Sequence, residues 1–141
     1  MIEDQRFRLS DFAVLSPSNA LNKVVHQAFQ RVQIPSVIHT EDEFDILEEQ
    51  VKVLTIHSAK GLEFPVVFLQ GLHQGILPRN WRSGDVEEDQ LNLEQERTLM
   101  YVGMTRAAEA LYLVTSQQDQ SAFLNEINQV TRLEPFTGGK T

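Results

Sequence analysis

Residues 51–68 read VKVLTIHSAKGLEFPVVF, and residues 92–113 read NLEQERTLMYVGMTRAAEALYL. In the first stretch two apolar segments, 51–56 and 66–69, enclose a polar connector. That connector holds Thr55, His57, Ser58, Lys60 and Glu63 around Gly61. Short apolar runs bounded by turn residues mark strands buried on both faces. The second stretch places Leu93, Met100, Met104, Ala108 and Leu111 at roughly helical spacing, with Thr105 and Arg106 at its end. A further strand is expected at 111–114. Strands that alternate with helices predict a parallel sheet covered on both sides. This layout is expected to gather the polar groups along one sheet edge, where α/β proteins bind phosphates and other anions.

The same alternation extends outward from these stretches. Residues 12–15, FAVL, form a short apolar run that predicts a buried strand. Ser16, Pro17, Ser18 and Asn19 break it and supply capping side chains. Leu21, Val24, Val25, Ala28, Phe29 and Val32 then make a helical stripe that ends at Ile34 and Pro35. A second strand is expected at 36–39, and 40–50 reads as an acidic surface helix or connector. Residues 71–90 carry Gly75, Pro78 and Gly84 among polar side chains and predict a long surface loop. Loops of this length are usually functional or mobile. Asn92, with Gln95 three residues on, is a variant capping box and the expected start of the next helix. Phe123, Leu124 and Ile127 suggest a last short helix, and 133–141 a flexible tail.

The chain has 141 residues, 41% of them apolar, which suits a single domain with its own core. It contains no cysteine, so disulfides and thiolate metal sites are excluded. A signal-like start and a bilayer-length apolar run are both lacking, which predicts a cytoplasmic protein without membrane contact. The formal net charge of −8 excludes gripping nucleic acid by bulk charge. Any contact with DNA is expected through a few placed groups or beside a more basic partner.

Each polar group has a bland reading beside the functional one. Thr55 and Ser58 fit an ordinary capped turn, whereas Lys60 and Glu63 flanking Gly61 fit a ligand loop, since glycine permits a sharp turn and close approach. Arg106 is either a cation at a helix C-terminus or one presented to a phosphate. Trp81 either anchors its loop or stacks on a base. Glu94, Glu96 and Arg97 read as a solvated face or local ion pairs. His26, His39, His57 and His73 lack metal-ligand spacing, so no metal site is expected. Residues 138–141, GGKT, imitate the end of a P-loop, but Glu134 stands where its first glycine belongs.

Residues 55–64, TIHSAKGLEF, resemble motif V of the UvrD/Rep/PcrA-type superfamily 1 DNA helicases. Glu96 and Arg97, with residues 101–107, YVGMTRA, resemble motif VI, and residues 11–35 are similar to an earlier strand–helix unit of that family. The resemblance implies an α/β fold, a RecA-like (P-loop NTPase-type) three-layer sandwich with a mainly parallel sheet. It makes residues 1–141 a single C-terminal lobe of an ATP-dependent helicase. It implies an arginine finger at Arg106, ATP contacts at Glu63, Gly61 and Arg106, and single-stranded DNA contacts at Thr55, His57, Ser58 and Lys60. The implied partners are an N-terminal RecA-like lobe and single-stranded DNA. ATP with Mg2+ would be held mainly by that first lobe, since this chain has no Walker A or B and is expected to be inactive alone. Motif IV has no match, and only 36–50 fills the gap where many relatives carry a large inserted domain. The alternative reading is a non-catalytic α/β docking or nucleic-acid-binding module. A flavodoxin-like phosphate-binding enzyme would need a Gly-rich loop after the first strand, which is lacking.

Overall fold

The computed structural model describes residues 7–39 and 48–130. The expectations for the acidic stretch 40–47 and the tail 133–141 lie outside these residues. Five strands form one sheet: β1 (Phe12–Ser16), β2 (Ser36–Ile38), β3 (Val51–Thr55), β4 (Phe64–Leu69) and β5 (Ala107–Leu113). Their spatial order is β2-β3-β1-β4-β5. Every pairing is parallel, with Leu15 level with Leu54 on one side and Leu69 on the other. Two helices connect them, α1 (Asn19–Arg31) and α2 (Val86–Met104).

Strand alternation assigns the two faces. Ala13, Leu15, Leu54, Val67 and Leu69 turn to one side, where Met100 of α2, Phe123 and Ile127 complete the main core. Val14, Val51 and Val53 are buried on the other side, beneath α1. Helices on both faces of a parallel sheet make a three-layer α/β sandwich, as the apolar strands require. Each fully buried Val, Leu or Ile contributes about 1.5–3 kcal/mol, so the central strands dominate the stability. Among the described residues no helix is long and apolar enough to cross a membrane.

Three expectations are corrected. The apolar stripe of α1 is not a buried stripe, because Val24 and Val32 are 62% and 64% exposed. What α1 buries instead is polar, Asn22. The second helix begins at Val86, not Asn92; Asp85 caps it, accepting the Glu87 and Glu88 N–H groups at 3.0 and 3.3 Å. Its acidic first turn (Glu87, Glu88, Asp89) complements the helix dipole. The loop ahead of it is accordingly shorter and not a bare surface loop, since Leu72, Leu77 and Pro78 are buried in it. Lys52, inside an apolar strand, is also fully buried. Its ammonium donates to the Glu48 and Gln50 carbonyls at 2.8 and 3.2 Å.

Asn22 joins β1 and β3 at their carboxyl ends, and through Ser16 the node extends to Gln70 beyond β4. With its amide turned so that nitrogen and oxygen both find partners, Asn22 donates to Ser16 Oγ at 2.9 Å and to the Leu54 carbonyl at 3.1 Å, and accepts the Thr55 N–H at 3.1 Å. Gln70, just past β4, donates to the same Ser16 Oγ at 2.6 Å. Asn22→Leu would keep the volume and take away the partner of the Leu54 carbonyl and of the Thr55 N–H. The expected cost is about 2–4 kcal/mol, measured as a lower urea midpoint. An unchanged midpoint would show that the node does not hold the strand ends.

Candidate functional site

The connector 56–63 is a crossover that spans the sheet. β3 ends at Thr55, level with Ser16, while β4 begins at Phe64, two residues before the Val66 that lies level with Phe12. At about 3.3 Å per residue the two ends of the connector are roughly 20 Å apart along the strands. The candidate polar groups therefore do not gather on one edge. Thr55, His57 and Ser58 sit at the carboxyl edge, and Glu63 and Arg106 at the amino edge.

Its first half is a 3-10 turn, His57–Ala59. The Thr55 hydroxyl donates to Ser58 Oγ at 2.9 Å and accepts the Ser58 N–H at 3.1 Å, which caps the turn. Ile56 and Ala59 point into the core, so His57, Ser58 and Lys60 face solvent. Gly61 then takes a left-handed φ of +80°, with open space where a side chain would be. Its requirement is conformational, and the chain leaves it extended toward β4. Glu63 is exposed and has no hydrogen bond or ion pair among the described residues.

Arg106 lies in the two-residue turn between α2 and β5. Its backbone is pinned on both sides: its N–H donates to the Gly103 carbonyl at 3.2 Å, and its carbonyl accepts the Phe64 N–H at 2.8 Å. The guanidinium folds back over the connector. Nε donates to the Val102 carbonyl at 3.2 Å, Nη1 to the Leu62 carbonyl at 3.1 Å and Nη2 to Thr105 Oγ1 at 3.1 Å. All three acceptors are neutral, and among the described residues no carboxylate pairs with it. Five N–H donors less three leaves two for a ligand. Carbonyl contacts at the helix end agree with the helix-terminus reading, yet they leave the cation's charge uncompensated.

Between the connector and α2 lies a cleft of about 330 Å³. His57 and Lys60 border it on one side, Gln95 and Thr98 on another, and Arg79 and Trp81 on the loop side. The loop is tied down by Glu96, whose Oε2 accepts the Arg79 N–H and the Trp81 indole N–H, both at 2.9 Å. Its other oxygen stands 3.8 Å from Arg79 Nε. Glu96 is thus no part of a solvated face, and Trp81 is a loop anchor here. Arg97 pairs with Glu126 at 2.8 Å and lies over the Phe123 ring. Among the described residues no three of His, Asp and Glu converge as a metal site. The sequence reading missed Asn22 and Gln70 and named Glu96 without its place beneath the loop; for Asn22, the signal was a polar residue amid the apolar stripe of α1.

A family model described as the UvrD-like helicase C-terminal domain matches residues 38–118. The ATP-dependent DNA helicase PcrA of Bacillus subtilis is 41% identical over 102 residues, covering 61% of this chain and 13% of that protein. The ATP-dependent DNA helicase Rep of Salmonella typhimurium is 44% identical over 72 residues, covering 51% of this chain and 9% of that protein. The chain thus spans a small fraction of the length of the relatives it matches. The crystal structure of the C-terminal domain of a possible DNA helicase from Lactobacillus plantarum superposes with a TM-score of 0.60. It is 25% identical and covers 81% of this chain and 60% of that one.

Trp81 is the sole tryptophan, so its fluorescence reports the loop directly. Glu96→Ala is expected to shift its emission to the red and to increase quenching by acrylamide, because two donors of the loop lose their acceptor. Spectra identical to wild type would mean that packing alone holds residues 79–81.

Proposed function

The chain belongs to the UvrD-like helicase C-terminal domain family, and we propose that it is the second motor lobe of an ATP-dependent DNA helicase. In this reading Arg106 is the arginine finger, with Glu63 and Gly61 beside the nucleotide. Thr55, His57, Ser58 and Lys60 meet the backbone of single-stranded DNA. The first RecA-like lobe holds the phosphates and Mg2+, so this lobe has no ATPase activity of its own. The observation that carries the reading is the state of Arg106: a half-buried guanidinium without a carboxylate, with two N–H donors left over.

Phosphoryl transfer to water is mostly positioning and charge neutralisation. Arg106 is held by oxygens of its own lobe, and reaches the γ-phosphate when the two lobes close. The connector links this event to DNA. Its amino-edge end is bonded to Arg106 through Leu62, Ala59 at its middle and Ile56 at its start are seated in the core, and its far end carries His57 beside Thr55 of β3. A movement of Arg106 is therefore felt at the opposite edge. Lys60 and Arg79 about one cleft supply local cations, and His57 a ring nitrogen beside them, of the kind an acidic domain needs to meet a phosphate backbone.

The direct test uses the two-lobed protein that joins this chain to a first RecA-like lobe. Arg106→Ala should lower hydrolysis by on the order of 10³ while ATP affinity falls far less, since a finger engaged on closure stabilises the transition state most. Arg106→Lys should rescue poorly, because an ammonium cannot reproduce the planar fork. Near-normal turnover with only a lowered melting temperature would reduce Arg106 to a helix-end cation.

His57→Ala should weaken single-stranded DNA binding about tenfold, the worth of one hydrogen bond to a charged group. The loss should be equal across sequences, because backbone contacts carry no base information. His57 is exposed, so the melting temperature should not move. Wild-type affinity at several salt concentrations would remove His57 from the DNA contact.

A further inference from the structure

We propose that Thr105 is a positioning residue for the Arg106 guanidinium, a role that rests on the finger reading above. The Thr105 hydroxyl proton is already committed, donated to the Val102 carbonyl at 2.8 Å. Its oxygen therefore presents lone pairs only, and Arg106 Nη2 donates to one of them at 3.1 Å. The Val102 carbonyl in turn also accepts Arg106 Nε. Hydroxyl, carbonyl and guanidinium thus close a small ring of hydrogen bonds at the end of α2. The ring fixes the rotation of the planar fork, and Leu62 holds the fork's other arm. The Thr105 N–H donates to the Tyr101 carbonyl at 3.0 Å, so the hydroxyl is carried by backbone that is itself fixed.

The neutrality of this acceptor matters. A carboxylate in its place would hold the guanidinium more strongly and compensate its charge, and that pair would have to be broken before a phosphate could be engaged. A hydroxyl whose proton is spent gives direction without neutralisation. The bland alternative is that Thr105 merely bonds back to its own helix, a habit of Thr and Ser side chains. That alternative predicts lost stability and no change in turnover per folded molecule.

The experiment compares Thr105→Val, Thr105→Ala, Thr105→Ser and Arg106→Ala in the two-lobed protein, assayed for DNA-stimulated ATP hydrolysis well below each melting temperature. Val and Ala remove the acceptor and should lower kcat about tenfold, the scale of a slightly misplaced catalytic group. KM for ATP should stay near wild type, and Ser, which keeps the oxygen, should restore most of kcat. If Val is too unstable to assay, the smaller Ala carries the same comparison. In the 141-residue chain, the Arg106 Nε–H signal, identified by its loss in Arg106→Ala, should exchange with water faster in Thr105→Val or Thr105→Ala. Wild-type kcat in Val and Ala beside a dead Arg106→Ala overturns the proposal and spares the finger. Ser falling as far as Val, or unchanged Nε–H exchange, overturns it as well. Near-normal turnover in Arg106→Ala overturns the finger reading, and the role of Thr105 with it.

Discussion

The hydrogen bond from the Phe64 N–H to the Arg106 carbonyl is the constraint on which the arrangement turns. It starts β5 beside β4 and fixes Arg106 at the amino edge of the sheet. Reaching that bond sets demands on both chains that meet there. The connector must cover roughly 20 Å from the end of β3. Its eight residues, 56–63, would span only about 12 Å as a helix and up to about 28 Å when extended. A single tight turn followed by extended chain satisfies the distance, and Gly61 marks the change. No long helix fits, so Ile56 and Ala59, three apart in the tight turn, dip into the core while His57, Ser58 and Lys60 face outward. On the other side α2 must run back along the whole sheet and approach it closely at its last turn. Gly103 allows that approach: a Cβ there would stand 3.1 Å from Leu69 Cδ1 and 3.4 Å from Ile56 Cγ2.

The strands were legible because burial on both faces leaves an apolar run that no surface element needs, as 12–15 and 66–69 show. The three-layer architecture followed from that and from the alternation with helices. What periodicity could not reveal was direction of travel. The polar connector reads the same whether it returns on the same edge or crosses the sheet, and only the pairing register of β1 with β3 and β4 separates the two. The start of α2 was missed for a related reason. Residues 86–91 are largely exposed, so no apolar stripe announces them. The signal that remained was Asp85 with three acids behind it, weaker to the eye than the Asn92 and Gln95 pair downstream. In α1 the stripe marked the helix rightly, but only Leu21, Val25 and Phe29 of it are half-buried, and the fully buried residue is Asn22, which periodicity does not single out.

At the candidate site, motif spacing singled out Arg106 and the connector, but not what holds them. Glu96 belongs to a motif and reads as one more surface acid; its position beneath the loop becomes visible only when residues 79–81 fold over α2. Trp81 and Arg79 acquire fixed places through that one carboxylate. A surface of net negative charge thereby gains a local group of cations beside the connector, without a basic face overall.

The setting of Arg106 resolves a conflict between precision and availability. In the proposed role a side chain that acts across the cleft between two lobes needs a defined orientation, and the strongest way to orient an arginine is a bidentate carboxylate. Losing one partner of a partly desolvated ion pair is costly, about 3–5 kcal/mol when fully buried. That cost would be set against engaging a phosphate. Three neutral acceptors define the plane of the guanidinium without cancelling its charge, and the two remaining N–H donors can engage a phosphate before any of these bonds is given up. The fold supplies these acceptors from the two segments that the Phe64–Arg106 bond brings together, Val102 and Thr105 from the helix end and Leu62 from the connector. The constraint that closes the sheet is thus also the one that orients the Arg106 guanidinium.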